Sequence, residues 1–436
     1  MTNDTFDSKT GDSKTRAGLT RRSALMAAAA TVAAAKAAFP SGAFAAGAGP
    51  EISKARLGFI ALTDASPLII AKERGYFTKH GMPDVEVLKQ ASWASTRDNL
   101  VLGSGGGGID GAHILSPMPY LLTTGVATGG KPLPMNVLAR LNINGQAISV
   151  GNDLKAVKVG LNSAGAKAKF MQMKGANNIA KVAMTFHGGT HDLWIRYWLA
   201  AGGINPETDV SMIVIPPPQM VANMKAGTQD AFCVGEPWNG QLVNQKIGYT
   251  ACLTSELWMN HPEKALGMRA DWVAKYPRAA QAITAAVMEA QMWCDKLANR
   301  PAMCSVTSAR QYINVPMGDI VPRLQGAIDY GDGRQVKGSP HIMKFWADNA
   351  SFPFKSHDLW FLTEDVRWGV LPQATNKMAL VNKVNRSDIW RAAAKDLGVP
   401  APASDSRGPE RFFDGKVFDP ANPGAYLASQ PIKKLV

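Results

Sequence analysis

Cysteine is scarce. Four residues in a chain of 436 cannot build the disulfide scaffold on which small secreted domains depend. Long apolar runs are missing as well. None approaches the roughly 18–20 residues needed to span a bilayer, which excludes a multi-pass membrane protein. No five or six like charges stand together, and no basic stretch interleaves with aromatics, so nucleic-acid binding gains no support. Catalytic patterns are also absent: there is no Gly-x-Ser-x-Gly, no Ser-His-Asp or Cys-His arrangement, and Cys233 has no base beside it in sequence. The glycine-rich stretch 103–108 lacks the Gly-Lys-Ser/Thr that completes a phosphate loop and reads as a turn. An enzyme is therefore not expected.

What remains is the composition of a globular chain, 46% hydrophobic and 19% charged, too apolar to be disordered. Its length suits about two or three domains. A formal charge of +13 favours an anionic partner without naming one.

Residues 1–45 read as an export signal. A polar stretch ends in Arg21-Arg22, a weakly apolar alanine-rich run follows, and Ala43-Phe44-Ala45 supplies a small-x-small cleavage site. Paired arginines before a weak apolar run match the twin-arginine type, which predicts a periplasmic protein. The segment carries six basic and three acidic residues, so its removal lowers the charge from +13 to +10. No cysteine near Ala45 offers a lipid anchor. In an oxidising compartment Cys294 and Cys304 are close enough in sequence either to bridge neighbouring helix ends or to stay free. Cys233, in an apolar strand-like run, reads as a buried thiol.

From residue 55 onward, short apolar runs alternate with helical stretches. Strands are expected at 55–62, 85–88 and 111–115, and again at 157–161, 181–186, 210–215 and 230–234. Helices are expected at 67–75, 96–102 and 192–201, and a helical region from about 271. Strand–helix alternation predicts an α/β fold with mostly parallel sheets. Two such units leave a cleft between them, and ligands of open α/β sheets bind beyond the carboxyl ends of the strands.

Candidate residues fall at such positions. His187-Gly188-Gly189-Thr190-His191 has zinc-ligand spacing, but the Gly-Gly pair interrupts a helix and the metalloprotease glutamate is missing. Thr190 reads instead as an N-cap with His191 in the first turn, where unpaired N–H groups face an anion or serve structure alone. At Gly235-Glu236-Pro237-Trp238 a strand gives way to a helix opened by proline, and the glycine lets a ligand approach the backbone. Trp93 and Gln146 also follow strand-like runs, where a residue taken alone is more often core or turn than ligand contact. The Met and Trp positions within 285–293 read as core.

Several segments together resemble a known family. They are the run from Leu57 to Asp64, the run from Asp110 to Pro119, Gly188-Gly189-Thr190-His191-Asp192-Leu193-Trp194, Pro216-Pro217-Pro218-Gln219-Met220, Gly235-Glu236-Pro237-Trp238-Asn239 and Lys355-Ser356-His357-Asp358-Leu359-Trp360. From about Lys54 to about Ala393 the chain is similar to the nitrate-transport periplasmic binding proteins of ABC importers and their bicarbonate-binding and nitrate-sensing relatives. The resemblance implies a class II periplasmic-binding-protein fold with two α/β lobes. Lobe I is expected over 51–148 and 266–436, with a C-terminal helical and wrapping part, and lobe II over 149–265.

The resemblance also implies an anion site of Trp93, Gln146, His191, Gly235, Glu236 and Lys264, with Glu236 expected to pair with Lys264 or His191. The implied ligand is nitrate or nitrite, and the implied partner is a permease in the inner membrane. No cofactor or metal is expected, and no insertion of the chain into the membrane. Nitrate accepts hydrogen bonds and donates none, so it needs donors. Bicarbonate must also donate, and the bicarbonate-binding relatives are expected to carry a carboxylate and a metal cation where this chain has Lys264. A bicarbonate-binding protein and a nitrate-sensing regulator remain the alternatives. The export signal speaks against the regulator.

Overall fold

The structure is a computed structural model that describes residues 49–436. The expected export signal lies outside the described residues. Ten principal strands follow in chain order: β1 (Lys54–Phe59), β2 (Asp84–Lys89), β3 (Gly111–Leu115), β4 (Met135–Arg140), β5 (Gln146–Gly151), β6 (Lys181–Met184), β7 (Ser211–Val214), β8 (Ala231–Gly235), β9 (Gly248–Leu253) and β10 (Lys264–Arg269). They form two five-stranded sheets, ordered β2-β1-β3-β10-β4 and β7-β6-β8-β5-β9.

The two sheets share one plan. Three strands run parallel, and a fourth and fifth are added through an antiparallel member. That antiparallel member sits beside the end strand of the parallel set, which is the central strand of its sheet: β10 beside β3, and β5 beside β8. Both β3 and β8 are buried along their whole length, as strands covered on both faces must be. Edge strand β2 alternates exposed and buried residues over Asp84–Val87, the period-2 mark of a half-solvated strand.

The chain crosses between sheets twice, after β4 and after β9. The two crossing segments hold each other: Ile143 bridges Pro262, the Asn144 N–H donates to the His261 carbonyl, and the Glu263 N–H donates to the Asn142 carbonyl. Each crossing ends in the first residue of an antiparallel strand, Gln146 for β5 and Lys264 for β10. Because these strands run against their neighbours, their amino ends lie at the carboxyl ends of the parallel strands. The topology therefore delivers both residues to the edge where α/β proteins bind ligands. The lobe limits expected at 148/149 and 265/266 fall inside β5 and β10, each of which belongs whole to one sheet.

The expected strand at 157–161 is not formed. A six-residue 3-10 turn, Asn152–Val157, runs into it, with Lys158 in the left-handed region. Conversely β4, β5, β9 and β10 were not expected as strands. The helix Pro277–Asp295 packs on the first sheet's side of the core. The helix Lys355–Arg367 is buried on nearly every face, with Trp360 stacked at 4.8 Å on Trp194. Cys294 and Cys304, left open as a pair, are free thiols, as are Cys233 and Cys252, and all four are buried. No helix among the described residues is long and apolar enough to cross a membrane.

Candidate functional site

Asp64 follows β1 in the short 3-10 turn Thr63–Ala65 and is fully buried. One of its oxygens lies 2.6 Å from His113 Nε2 on β3. The other lies 2.9 Å from Lys264 Nζ and accepts from the Gln146 amide at 3.1 Å. Lys264 reaches Glu263 at 3.2 Å as well. Thr190, at the start of the helix Thr190–Ala201, donates its hydroxyl to Glu263. A buried carboxylate without such partners would cost several kcal/mol or give up its charge.

Trp93 opens the helix Trp93–Leu102, which the Ser92 hydroxyl caps by accepting from the Ser95 N–H at 3.0 Å. This places the fully buried indole with its ring centroid 5.8 Å from Lys264 Nζ and 5.5 Å from the His113 ring. Gly235 ends β8 opposite Gln146. A Cβ there would stand 2.9 Å from Gln146 Oε1 and 3.2 Å from Asp64 Oδ2, so any side chain would push into the cluster.

The hydrogen bonds have one polarity. Burial, with Lys264 next in effect, holds the His191 pKa well below its ordinary value, so the ring is neutral near pH 7. His191 Nε2 lies 2.6 Å from Gln146 Oε1, an acceptor, so it carries the proton. His191 Nδ1 then accepts from the Thr185 hydroxyl at 2.5 Å. Gln146 passes the polarity on to Asp64. Burial also lowers the His113 pKa, against the opposing pull of Asp64. The neutral ring donates through Nε2, and Nδ1 has no partner among the described residues.

Burial opposes the charge on Asp64, but the Lys264 ammonium and His113 outweigh it and hold the carboxyl well below the usual range. At Glu263 burial wins over Lys264, and the Asp64 charge adds to it, so the pKa is pushed up to about 7. Donor capacity is left over. The Trp93 indole N–H is buried with no acceptor among the described residues, and the Gln146 amide has a second hydrogen beyond the one given to Asp64. The arrangement suits a ligand that accepts hydrogen bonds.

Of the residues singled out in the sequence, Trp93, Gln146, His191, Gly235 and Lys264 come together around Asp64. Glu236 stands apart. It was expected to pair with Lys264 or His191, but its carboxylate meets Arg323 at 2.9 Å and accepts from the Gly240 N–H at 3.1 Å. Successive residues of an extended chain face opposite ways, so with Gly235 toward the cluster, Glu236 turns away to the helix Trp238–Asn244. Thr190 is not the N-cap: Gly189 holds that position, and the Thr190 hydroxyl is spent on Glu263. Asp64, His113 and Glu263 were not singled out as site residues. The available signal was charge or a polar ring inside otherwise apolar strands and turns, which demands a buried partner. Among the described residues no group of three or more His, Cys, Asp and Glu is placed to hold a metal ion.

Comparison with known proteins agrees across sequence and structure. Residues 48–308 match the model of the NMT1-like family. The nitrate/nitrite binding protein NrtA of Synechocystis sp. is 60% identical over 88% of this chain and 86% of its own. The bicarbonate-binding protein CmpA of Synechococcus elongatus is 44% identical over 88% of both chains. The crystal structure of the periplasmic nitrate-binding protein NrtA from Synechocystis PCC 6803 superposes with a TM-score of 0.86, at 59% identity, covering 88% of this chain and all of that one.

Proposed function

Since the chain belongs to the NMT1-like family, among the nitrate- and bicarbonate-binding proteins of ABC importers, we propose that it captures nitrate, and nitrite by the same contacts, for such an importer. The observation that carries the choice of ligand is the Lys264 ammonium, set 5.8 Å from the Trp93 ring at the joint between the two sheets. Nitrate is flat, carries one negative charge and only accepts hydrogen bonds. Lys264 supplies the compensating charge, Gln146 and the Trp93 N–H supply donors, and the indole covers an apolar face. His191 acts through Gln146: its N–H fixes the amide so that the amide nitrogen, not the oxygen, faces Asp64.

Bicarbonate must also donate a hydrogen bond, and the acceptors here are already engaged. Asp64 is taken by His113, Gln146 and Lys264, and Glu263 by Thr190 and Lys264. The expected export signal, with its paired arginines, supports delivery to the periplasm by the twin-arginine route. There the loaded protein would present its ion to a permease of the inner membrane.

Calorimetry tests the reading. Nitrate is expected to bind saturably, one ion per chain, with a dissociation constant of about 1 μM or below, roughly −8 kcal/mol or better. Bicarbonate is expected to give no saturable heat with or without calcium. Clean titration by bicarbonate and calcium, with no response to nitrate, would overturn the assignment.

A further inference from the structure

We propose that the site takes up its anion together with a proton, and that Glu263 carries the proton. This deepens the nitrate reading and rests on it.

One ammonium, Lys264, stands 2.9 Å from Asp64 and 3.2 Å from Glu263, and all three side chains are fully buried. With both carboxylates ionised the cluster already has one negative charge in excess. A monovalent anion would raise the excess to two, in surroundings where an uncompensated charge is most costly. Neutralising one carboxylate brings the excess back from two to one: one ammonium, one carboxylate, one bound anion, and one carboxylic acid.

Six titratable groups decide which one changes. Asp64 lies at the end of β1, His113 on β3, His191 at the head of the helix Thr190–Ala201, Cys233 on β8, His261 in the second crossing segment, and Glu263 beside Lys264. Asp64 is held as a carboxylate by Lys264 and His113. Burial keeps the three histidines neutral, His261 with a pKa near 3, and keeps Cys233 a thiol. Glu263 alone titrates in the middle of the range, at about 7. An arriving anion favours its acid form and raises that value further. The acid keeps Thr190 and Lys264 on one oxygen, the latter at 3.2 Å, while the other oxygen carries the proton.

The sign of the pH dependence follows from linkage. Below the pKa of the free site Glu263 is already protonated, so binding takes up no proton and affinity is at its full value. Above it each binding event must draw a proton from solution, and affinity falls by up to about tenfold per pH unit.

The test is calorimetry of the protein with sodium nitrate, in pairs of buffers that differ in ionisation enthalpy, from pH 5.5 to 8.5. Uptake is expected to approach one proton per nitrate near pH 8 and to vanish near pH 5.5. In Glu263→Gln, which keeps the shape and the Thr190 contact, uptake is expected to be lost and nitrate affinity to become flat with pH. Nitrate heats that do not depend on the buffer in the unmodified protein would overturn the inference while leaving nitrate binding intact. Uptake that persists undiminished in Glu263→Gln would overturn it too, by moving the proton to a histidine. No nitrate heat at any pH would overturn the inference together with the reading beneath it.

Discussion

Replacing Lys264 with methionine is expected to abolish nitrate binding. Methionine matches the length of the stem and removes only the ammonium. Removing one partner of a buried, hydrogen-bonded charge pair costs about 2–5 kcal/mol or more, which is roughly 30-fold to several thousand-fold in affinity. The larger end is expected, because the anion would then face Asp64 with no cation between them. A titration that still saturates within tenfold of the unmodified protein would contradict this. Stability is expected to fall as well, in a pH-dependent way. Lys264 is the strongest of the influences that depress the Asp64 pKa. A depressed carboxylate contributes stability above its unfolded pKa, about 3.9, and loses it as pH falls below. The gap between the two proteins in urea midpoint is therefore expected to be open at pH 7 and to narrow toward pH 3.

The second large effect lies just behind the site. Arg323 pairs with Glu236 at 2.9 Å and also donates to the Thr250 hydroxyl at 2.8 Å and the Asp329 carbonyl at 2.9 Å. Both charged side chains are more than nine-tenths buried. Arg323→Leu leaves the Glu236 carboxylate with the Gly240 N–H alone, and breaking such a pair from one side costs about 3–5 kcal/mol. Replacing both partners removes the stranded charge, so the double variant Glu236→Gln with Arg323→Leu is expected to recover most of that loss. Denaturant unfolding checks it. Equal loss in the single and double variants would mean that packing of the arginine stem, and not the pair, is what matters.

The two-lobed α/β plan was legible because it rests on local signals. Strand–helix alternation and the glycines that end elements are properties of neighbouring residues, and β1, β3, β6 and β8 all lie within or close to expected strands. The strands that were missed share a different character. β5 and β10 are the antiparallel members that each sheet receives from across the crossing. Their identity as strands depends on partners more than a hundred residues away for β10 and more than eighty for β5, and no short window contains that information. The expected strand at 157–161 shows the converse, an apolar run used to bury a turn.

The site divides along similar lines. Trp93, Gln146, His191, Gly235 and Lys264 were placed by resemblance, and the fold brings them together because each lies at or near an end of its element, on the side of the carboxyl ends of the parallel strands. Asp64 and Glu263 carry no such mark. A carboxylate is expected to repel an anion, and only the three-dimensional arrangement shows both sharing one ammonium. Glu236 was misjudged for the same reason in reverse. Its charge suggested a partner inside the site, whereas the strand's alternation sends it to Arg323. A sequence reveals which residue types are present, but the sign of the local field depends on which of them end up facing each other.

A crystal structure of the protein grown with nitrate shows directly where the ion sits. A planar, three-lobed density is expected beside Lys264 Nζ and the Gln146 amide, with the Trp93 ring against it. Nitrate density at another place in the molecule, with the Lys264–Asp64–Glu263 cluster unchanged, would contradict it.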